Sequence, residues 1–352
     1  MIQNNYRALS ESVRLRQNPE NLAFTKSFSD ELSSVSYADV LTYVKLAMNA
    51  VDPDYTQRSK EAGEMVKNHL TSNGLKDVTF KYQGSVMTDT HIKGVSDIDL
   101  LAISDKFYSR ALSEVNAILN DNDRKQRYQP SQVSSLVLEQ SLPVYEGSSN
   151  QDLKKLRLDS ETILSGKYQD CKTEKPKSIK IYNSNLKREV DIVIANWYDD
   201  IRSITNNRGE NRGIQIYNKD KHNVGDADYP FLSIQRINER SAETSGRLKK
   251  MIRFMKSIKA KSTLGIDLNS FEFNAICYNI PKTKYEQLAY YELVFVIFQQ
   301  IKNLSQNEDL ANNLLSVDGS EYIFRDKPEK MQSLINLVIE VEAVYLDIEK
   351  TL

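Results

Sequence analysis

The spacing of apolar residues predicts helices at the start of the chain. Within residues 9–72, apolar side chains recur every three or four positions, which is the period of one helix face. Pro53 interrupts the pattern and is favourable in the first turn of a new helix. We therefore expect a second helix from about Pro53 to Leu70. It should end near Gly74, because glycine adopts the left-handed C-terminal conformation without strain.

The period changes after this helix. Residues 78–82 alternate between apolar and polar side chains and are rich in β-formers, and residues 97–103 predict a buried strand. Two more strands are expected at 178–182 and 190–195. The basic and polar segment 183–188 between them predicts a hairpin turn.

The other segments are mostly helical in pattern. The predicted elements are a helix at 108–120, a loop at 121–150, a helix at 152–164, helices from 241 onward, an apolar helix at 284–303 and a last helix with its apolar face from Met331 to Tyr345. Strands and helices thus mix in the first part of the chain only. We predict an α+β core with N-terminal helices over 1–215 and a helical domain over 216–352.

Composition narrows the class of protein. The 352 residues include 47 Lys and Arg against 48 Asp and Glu, so the formal net charge is −1. This balance excludes a globally basic nucleic-acid coat protein but permits a local basic face. The 12 glycines and 8 prolines are about half of average usage, which favours a helix-rich fold.

The rarer residues bear on compartment and metal chemistry. No apolar run approaches the ~18 residues of a membrane span, and the polar start predicts that no signal peptide is present. Cys171 and Cys277 cannot form a disulfide framework, so free thiols in a reducing cytosol are expected. We interpret the scattered His69, His91 and His222 as surface or capping residues. The predicted location is cytoplasmic.

Three aspartates indicate the chemistry. Asp97 and Asp99 are two residues apart on a predicted strand, so both side chains share one face, while Ile98 and Leu100 point into the core. Asp191 lies on another predicted strand. If the two strands are neighbours, three carboxylates converge and require a counter-charge. Mg²⁺, with Mn²⁺ as an alternative, suits these oxygen ligands, and two ions would bind an attacking hydroxyl and a leaving pyrophosphate.

Competing interpretations apply to these acids. An Asp-x-Asp pair at a strand end is commonly a solvated face or a cap. Glu189 shares a face with Asp191 and is the other candidate for the third acid. We prefer Asp191 because it is centred in an apolar run.

Gly84 and Ser85 precede the acid pair by about a dozen residues. Glycine permits close approach of the backbone, and a serine hydroxyl with the following amides can hold a triphosphate. The alternative is an ordinary turn, and this is not a Walker loop because no Gly-Lys-Ser/Thr follows. The order of strand, Gly-Ser, short helix, Asp-x-Asp strand and later single-Asp strand favours nucleotide binding.

This order of motifs resembles the nucleotidyltransferase superfamily of polymerase-β type. Within it, the chain is similar over roughly residues 40–300 to the bacterial cyclic GMP-AMP synthase-like enzymes, the CD-NTases of the SMODS class. The resemblance implies a bilobal α+β fold, in which a polymerase-β-type core sheet with helices packs against a C-terminal helical domain that closes the nucleotide pocket.

The predicted helical domain contains further matching positions. The basic run 246–256 resembles a family helix that ends in a donor-phosphate lysine, here Lys256. Ser270 and Phe271 resemble a Ser-Tyr or Ser-Phe element, in which the serine touches the triphosphate and the aromatic ring stacks on the donor base. Without the resemblance, Lys256 would belong equally well to a solvated basic helix face that includes Arg253, and Phe271 to the core.

The expected function is metal-dependent synthesis of a cyclic di- or oligonucleotide second messenger. A ribose hydroxyl of one nucleoside triphosphate attacks the α-phosphorus of another, pyrophosphate leaves, and a second transfer closes the ring. As the resemblance implies, Asp97 and Asp99 hold both metals, and Asp191 ligates one and accepts the hydroxyl proton. The implied partners are nucleoside triphosphates, ATP among them, an effector of the product in anti-phage (CBASS) signalling, and an activating RNA or protein. No membrane partner is expected.

Two alternatives stay open. An RNA-tailing nucleotidyltransferase of the CCA-adding or poly(A) type uses the same carboxylates, although a near-neutral chain without an appended basic domain fits RNA binding poorly. A catalytically inactive nucleotidyltransferase-like scaffold is the other, and the presence of all three acids and the Gly-Ser pair opposes it.

Overall fold

The computed structural model describes residues 5–17, 39–92 and 98–352. The chain divides into two compact units that each combine separate stretches of sequence. The helical unit comprises Met1–Thr56, Ser85–Ser96 and Arg236–Leu352, and the sheet unit comprises Gln57–Gly84 and Asp97–Gln235.

The strands of the described residues form one mixed sheet in the sheet unit. They are β1 (Val78–Gln83), β2 (Ile98–Arg110), β3 (Cys171–Lys172), β4 (Ile179–Asn183), β5 (Arg188–Asp199), β6 (Gly213–Asn218) and β7 (Asn223–Asp228). Their spatial order is β1-β2-β5-β4-β3, and β6 pairs with both β5 and β7. The pairing of β2 with β5 is parallel, and the others are antiparallel.

Helices make up most of the remaining structure. In chain order they are α1 (Tyr6–Gln17), α2 (Asp39–Met48), α3 (Pro53–Ser72), α4 (Leu112–Leu119), α5 (Asn122–Lys125), α6 (Pro130–Ser141), α7 (Ser149–Lys167), α8 (Ile201–Thr205), α9 (Pro230–Glu243), α10 (Arg247–Lys261), α11 (Ser270–Tyr278), α12 (Glu292–Gln306), α13 (Glu308–Asn312) and α14 (Pro328–Glu349). The predicted helix that begins at Pro53 is confirmed, and Gly74 beyond its end has φ +99°. The mixture of sheet and helices confirms the predicted α+β fold.

The central strands β2 and β5 have two different faces. On one face, Ile98, Leu100 and Ile192 are buried as expected. On the other face, Leu101 and Val193 belong to a hydrophobic cluster that also includes residues of β6. Asp99 and Asp191 lie on this second face, because they alternate with the core residues along each strand. On the two central strands, the two acids therefore directly precede the apolar residues Leu101 and Val193 of this face.

The N-terminal helices share a hydrophobic core with the C-terminal helices. Val44 of α2 lies in one cluster with Ile252 and Met255 of α10. The predicted domain boundary lay after residue 215 and placed α2 with the sheet. In the structure, burial of the apolar face of α2 ties this helix to the C-terminal part of the chain. Hydrophobic burial, rather than position in the sequence, decides which unit a helix joins.

The loop predicted at 121–150 is wrong, because the segment contains α5, α6 and the start of α7. At the start of α6, the side chain of Gln132 accepts from the backbone amide of Gln129 at 3.0 Å, and Pro130 occupies the first turn. Leu136 then anchors this mostly polar helix in a small hydrophobic cluster. The capping residues are a signal that the polar composition obscured.

Three further elements differ from the prediction. The hairpin of β6 and β7 was not among the predicted strands. Strand β2 continues to Arg110, so the helix expected from 108 begins at Leu112. The helix expected from 284 begins at Glu292.

Throughout residues 5–17, 39–92 and 98–352, every helix is too short or too polar to cross a lipid bilayer.

Candidate active site

The parallel strands place two of the predicted acids side by side. Asp99 of β2 and Asp191 of β5 are direct partners in the register. Adjacent strands lie about 4.8 Å apart, and register partners in a parallel pair project to the same face. The expected adjacency of the two strands is confirmed. Asp97 lies outside the described residues.

Buried neighbours hold this register. Ile98 pairs with Val190 and Leu100 with Ile192, and each of the four is at most 1% exposed. A slip of one residue would turn these side chains to the opposite face. The apolar residues that stabilise the sheet therefore also keep the two carboxylates together.

Gly84 allows the backbone to pass close to Asp99. It follows Gln83, which is the antiparallel partner of Asp99 at the end of β1. Its φ is +83°, and a Cβ at this position would lie 2.4 Å from Asp99 Oδ2. Any other residue would strain the backbone and displace the carboxylate.

Residues 85–92 form hydrogen-bonded turns in place of the expected short helix. The amide of Thr90 donates to Ser85 O at 2.9 Å, and the hydroxyls of Thr88 and Thr90 lie 2.8 Å apart. Both threonines are buried. Ser85 therefore begins a compact turn of the helical unit.

His91 is fully buried, so its interpretation as a surface or capping residue is wrong. Its Nε2 lies 2.9 Å from the hydroxyl of Thr56. A buried imidazole requires such a polar partner. His91 thus contributes to the packing of the turn segment within the helical unit.

Two lysines near β4 lie beside the acids of the sheet. Lys180 is the cross-strand partner of Asp191, and its Nζ lies 2.7 Å from Glu189 Oε2. Lys175 Nζ lies 3.8 Å from Asp191 Oδ1. The side chain of Glu189 is 42% exposed and that of Asp191 18%. Glu189, the competing third acid, therefore pairs with a lysine, whereas Asp191 stands beside Asp99.

Arg253 and Lys256 of α10 are buried, so the alternative of a solvated helix face is wrong for both. Arg253 donates to Asp89 O at 2.5 Å, and Lys256 Nζ donates to Thr90 O at 2.9 Å. Burial, followed by the charges of Arg253 and Lys259, lowers the pKa of Lys256 to about 7. These two side chains hold the turn segment to α10.

Ser270 and Phe271 occupy the first two positions of α11. Asn269 caps this helix by accepting from Phe271 N at 2.7 Å, and Glu272 completes a capping box by accepting from Asn269 N at 2.7 Å. The capping box holds the helix start in place. Phe271 is 37% exposed, so the alternative of a core residue is wrong and the ring is accessible to a ligand.

The predicted site residues thus fall into two sets. The described ones in the sheet unit are Gly84, Asp99 and Asp191, and those in the helical unit are Ser85, Lys256, Ser270 and Phe271. With Asp97 outside the described ranges, the part of the chain that the structure describes holds no cluster of three or more His, Cys, Asp or Glu side chains suited to a metal ion. The assignment of metal ligands stays a prediction.

The position of Lys175 and the buried contacts of Arg253 were not predicted from the sequence. A lysine in a loop has no periodicity or spacing that marks it, and its nearness to Asp191 depends on how the β3–β4 hairpin folds. The run Thr-Glu-Lys-Pro-Lys-Ser between two strands is the one local signal, since it predicts an exposed basic turn.

A groove of about 960 Å³ lies elsewhere in the helical unit. Its walls include Tyr291 and Phe295 at α12 and Tyr345 on α14. None of the predicted site residues that the structure describes lines this groove. The candidate chemistry is therefore separate from it.

The mixed sheet with in-register acids on its two parallel strands, the left-handed glycine beside one acid, and the C-terminal helical part fit the nucleotidyltransferase class that the sequence motifs resemble. Residues 235–345 match the cGAS/DncV-like nucleotidyltransferase C-terminal helical domain. This match covers α10 to α13 and most of α14.

Full-length relatives agree with this class. A c-di-GMP synthase of Capnocytophaga granulosa is 52% identical, with 100% of both chains covered. A c-di-GMP synthase of a Lachnospiraceae bacterium is 42% identical, with 97% of this chain and 98% of the relative covered. The solved structure of a STING-associated CdnE c-di-GMP synthase from Flavobacteriaceae sp. is 37% identical, covers 99% of each chain and has a TM-score of 0.88.

The chain belongs to the cGAS/DncV-like nucleotidyltransferases, the bacterial CD-NTases. It is an enzyme of the group that synthesises cyclic nucleotides. The resemblance seen in the sequence motifs is thereby confirmed.

Proposed function

We propose that this enzyme joins two GTP molecules into cyclic di-GMP and releases two pyrophosphates. The observation that carries the proposal is the in-register pair of Asp99 and Asp191, in a chain similar over its full length to c-di-GMP synthases. In each transfer, a ribose hydroxyl oxygen forms a bond to the α-phosphorus of the other nucleotide. The bond from that phosphorus to pyrophosphate breaks.

The acid pair fits a divalent cation. Asp99 and Asp191 offer hard carboxylate oxygens on one face, and Gly84 leaves room for the Asp99 carboxylate that a Cβ would displace. Together with Asp97, they would hold Mg²⁺, or Mn²⁺ in its place. The metal supplies Lewis-acid stabilisation of charge on the phosphoryl and leaving oxygens. Asp191 accepts the proton of the attacking hydroxyl.

The nucleotide contacts are proposed residue by residue. Gly84 and Ser85 border the triphosphate, Lys256 and Ser270 contact its phosphates, and Phe271 stacks on the donor base. The capped start of α11 and the accessible Phe271 ring support this assignment. Because Lys256 already donates to Thr90 O, its contact with phosphate requires the ammonium to leave that carbonyl or share it.

We further propose that the product acts on a STING-type effector in anti-phage signalling in the cytoplasm. This follows the STING-associated relatives from Capnocytophaga granulosa and Flavobacteriaceae sp.. Activation by RNA or by a protein is part of the same proposal and is tested by adding each to the reaction.

Mass spectrometry of products tests the proposal. The enzyme is incubated with GTP, with ATP or with both, in the presence of Mg²⁺ or Mn²⁺, and Asp191→Asn serves as the inactive control. Cyclic di-GMP from GTP alone is expected. A mixed or adenine-only ring would replace the proposed substrate with ATP, which the resemblance placed among the substrates. Stepwise extension of an RNA primer would instead indicate RNA tailing, and no pyrophosphate under any condition would indicate an inactive scaffold.

A further inference from the structure

A buried arginine anchors the loop 173–178, which joins β3 to β4. Arg157 of α7 is 1% exposed. Its Nη2 donates to the carbonyls of Thr173, Lys175 and Ser178 at 2.9, 3.0 and 2.9 Å. One guanidinium thus restrains the backbone of the loop at three points.

Lys219 restrains the same loop from another strand connection. Its Nζ donates to Thr173 O, and its backbone amide donates to Pro176 O at 2.9 Å. Glu161 accepts from Lys219 Nζ at 3.3 Å and from Arg157 Nε at 2.7 Å, so it joins both cations. Strand β3 has only two residues, and these side chains rather than a long ladder therefore determine the path of the loop.

The restrained loop carries Lys175 to the acid pair. Its Nζ lies 3.8 Å from Asp191 Oδ1, and its side chain is 44% exposed. Lys180, the direct cross-strand partner of Asp191, has its Nζ 2.7 Å from Glu189 Oε2. A partly exposed ammonium on a flexible stem thus stands next to a carboxylate that the proposed function assigns to a metal ion.

We propose that Lys175 is a displaceable counter-ion of Asp191 that competes with the divalent metal. This inference rests on the proposed function, because it takes Asp191 as a metal ligand. The ammonium offsets the repulsion between Asp99 and Asp191 when no metal is bound. A divalent ion must displace it and therefore binds less tightly than it would without Lys175. Arg157 is a positioning residue, since it acts through the loop.

Binding of Mn²⁺ to the nucleotide-free full chain tests the proposal, with free Mn²⁺ measured by electron paramagnetic resonance at low salt. Lys175→Arg should keep the dissociation constant within about twofold of wild type. Lys175→Gln should lower it about two- to fivefold, which is the range expected for a half-exposed ion pair, and Lys175→Glu should lower it further. Lys177→Gln and Lys177→Glu are matched controls on the same loop and should have smaller effects.

The outcomes separate this inference from the proposed function. If Asp191→Asn binds Mn²⁺ as wild type does, Asp191 is not a metal ligand and both proposals fail. If Asp191→Asn weakens binding while the Lys175 series leaves it unchanged, or the Lys177 series shifts it equally, the role of Lys175 alone is overturned.

The role of Arg157 has its own test. Arg157→Lys keeps the buried charge but loses the planar fork of donors. Like Lys175→Gln, it should lower the dissociation constant for Mn²⁺. The double variant Arg157→Lys/Lys175→Gln should bind Mn²⁺ no more tightly than Lys175→Gln alone. An additive shift in the double variant would overturn the positioning role, and the Lys175 series does not depend on this variant.

Discussion

The predicted acids of the sheet unit and the buried cations of the helical unit are positioned in opposite ways. In the sheet unit, strand register holds Asp99 and Asp191 side by side near the starts of β2 and β5. In the helical unit, Arg253 and Lys256 are buried and donate to backbone carbonyls of the segment 85–92. The backbone of the strands thus positions the carboxylates, whereas the two cations hold the backbone of the segment 85–92 through their hydrogen bonds.

This contrast distinguishes a site prepared for a ligand from charges that already stabilise the fold. A buried charge costs free energy unless hydrogen bonds compensate it, and carbonyl oxygens provide that compensation for Lys256. Two adjacent carboxylates repel each other and favour a cation, and the ammonium of Lys175 already lies 3.8 Å from Asp191 Oδ1. We therefore expect substitutions of the acids to affect chemistry, and substitutions of the buried cations to affect stability first.

The largest effect is expected at the acids. Asp99→Asn and Asp191→Asn should each lower the rate of pyrophosphate release about 1,000-fold, because each loses several kcal/mol of transition-state stabilisation through the metal site. The melting temperature should change by no more than a few degrees. Glu189→Gln is the matched control and should stay within about threefold of wild type. An equal loss in the control would show that sheet electrostatics, rather than the pair, is responsible.

A smaller loss is expected where the backbone meets Asp99. Gly84→Ala should lower the rate about 10- to 100-fold and destabilise the fold by about 1–2 kcal/mol, because the new Cβ displaces the carboxylate and φ is strained. Gly74→Ala is the control, since φ is +99° there but no atom lies within 4 Å of the new Cβ. It should lose similar stability and retain activity. Loss of activity in both variants would assign the effect to strain alone.

Phe271→Ala should have a moderate effect on nucleotide binding. Loss of base stacking costs about 1–3 kcal/mol, so the KM for GTP should rise about 5- to 150-fold with a smaller change in kcat. Phe295→Ala removes another exposed phenylalanine of the helical unit and should leave KM unchanged. Steady-state kinetics of both variants decide whether Phe271 contacts a base.

The smallest effect is a pH dependence at Lys256. Its pKa of about 7 in the fold lies below the ordinary 10.5, so the unfolded chain binds more protons between these values and folding stability rises with pH there. Relative to Lys256→Met, wild type should gain up to about 1.4 kcal/mol per pH unit above pH 7 and show no slope below it. Urea unfolding at several pH values measures this. If the difference in unfolding free energy between wild type and Lys256→Met does not change with pH, Lys256 stays charged while it donates to Thr90 O.

Local patterns predicted many elements correctly. They include β1, the strand β2 that carries Asp99, the β4–β5 hairpin and the helix from Pro53 to Ser72. Alternation along a strand and the period of a helix are local properties, so a short window of sequence suffices to detect them. The Asp-x-Asp spacing and the Gly-Ser pair likewise predicted the class of enzyme, because that chemistry requires those residue types. The polar segment 121–150 failed, since its helices depend on capping and a few buried contacts.

Packing alone decided the rest. Asp99 and Asp191 are 92 positions apart in the sequence, and their register follows from the burial of the paired residues Ile98 and Val190. The burial of Lys256 depends on the carbonyl of Thr90, which comes from a distant stretch of the chain. Residue type and spacing therefore indicate which chemistry a chain can perform. Which charges remain open to a ligand and which are consumed by the fold depends on long-range contacts that no local pattern contains.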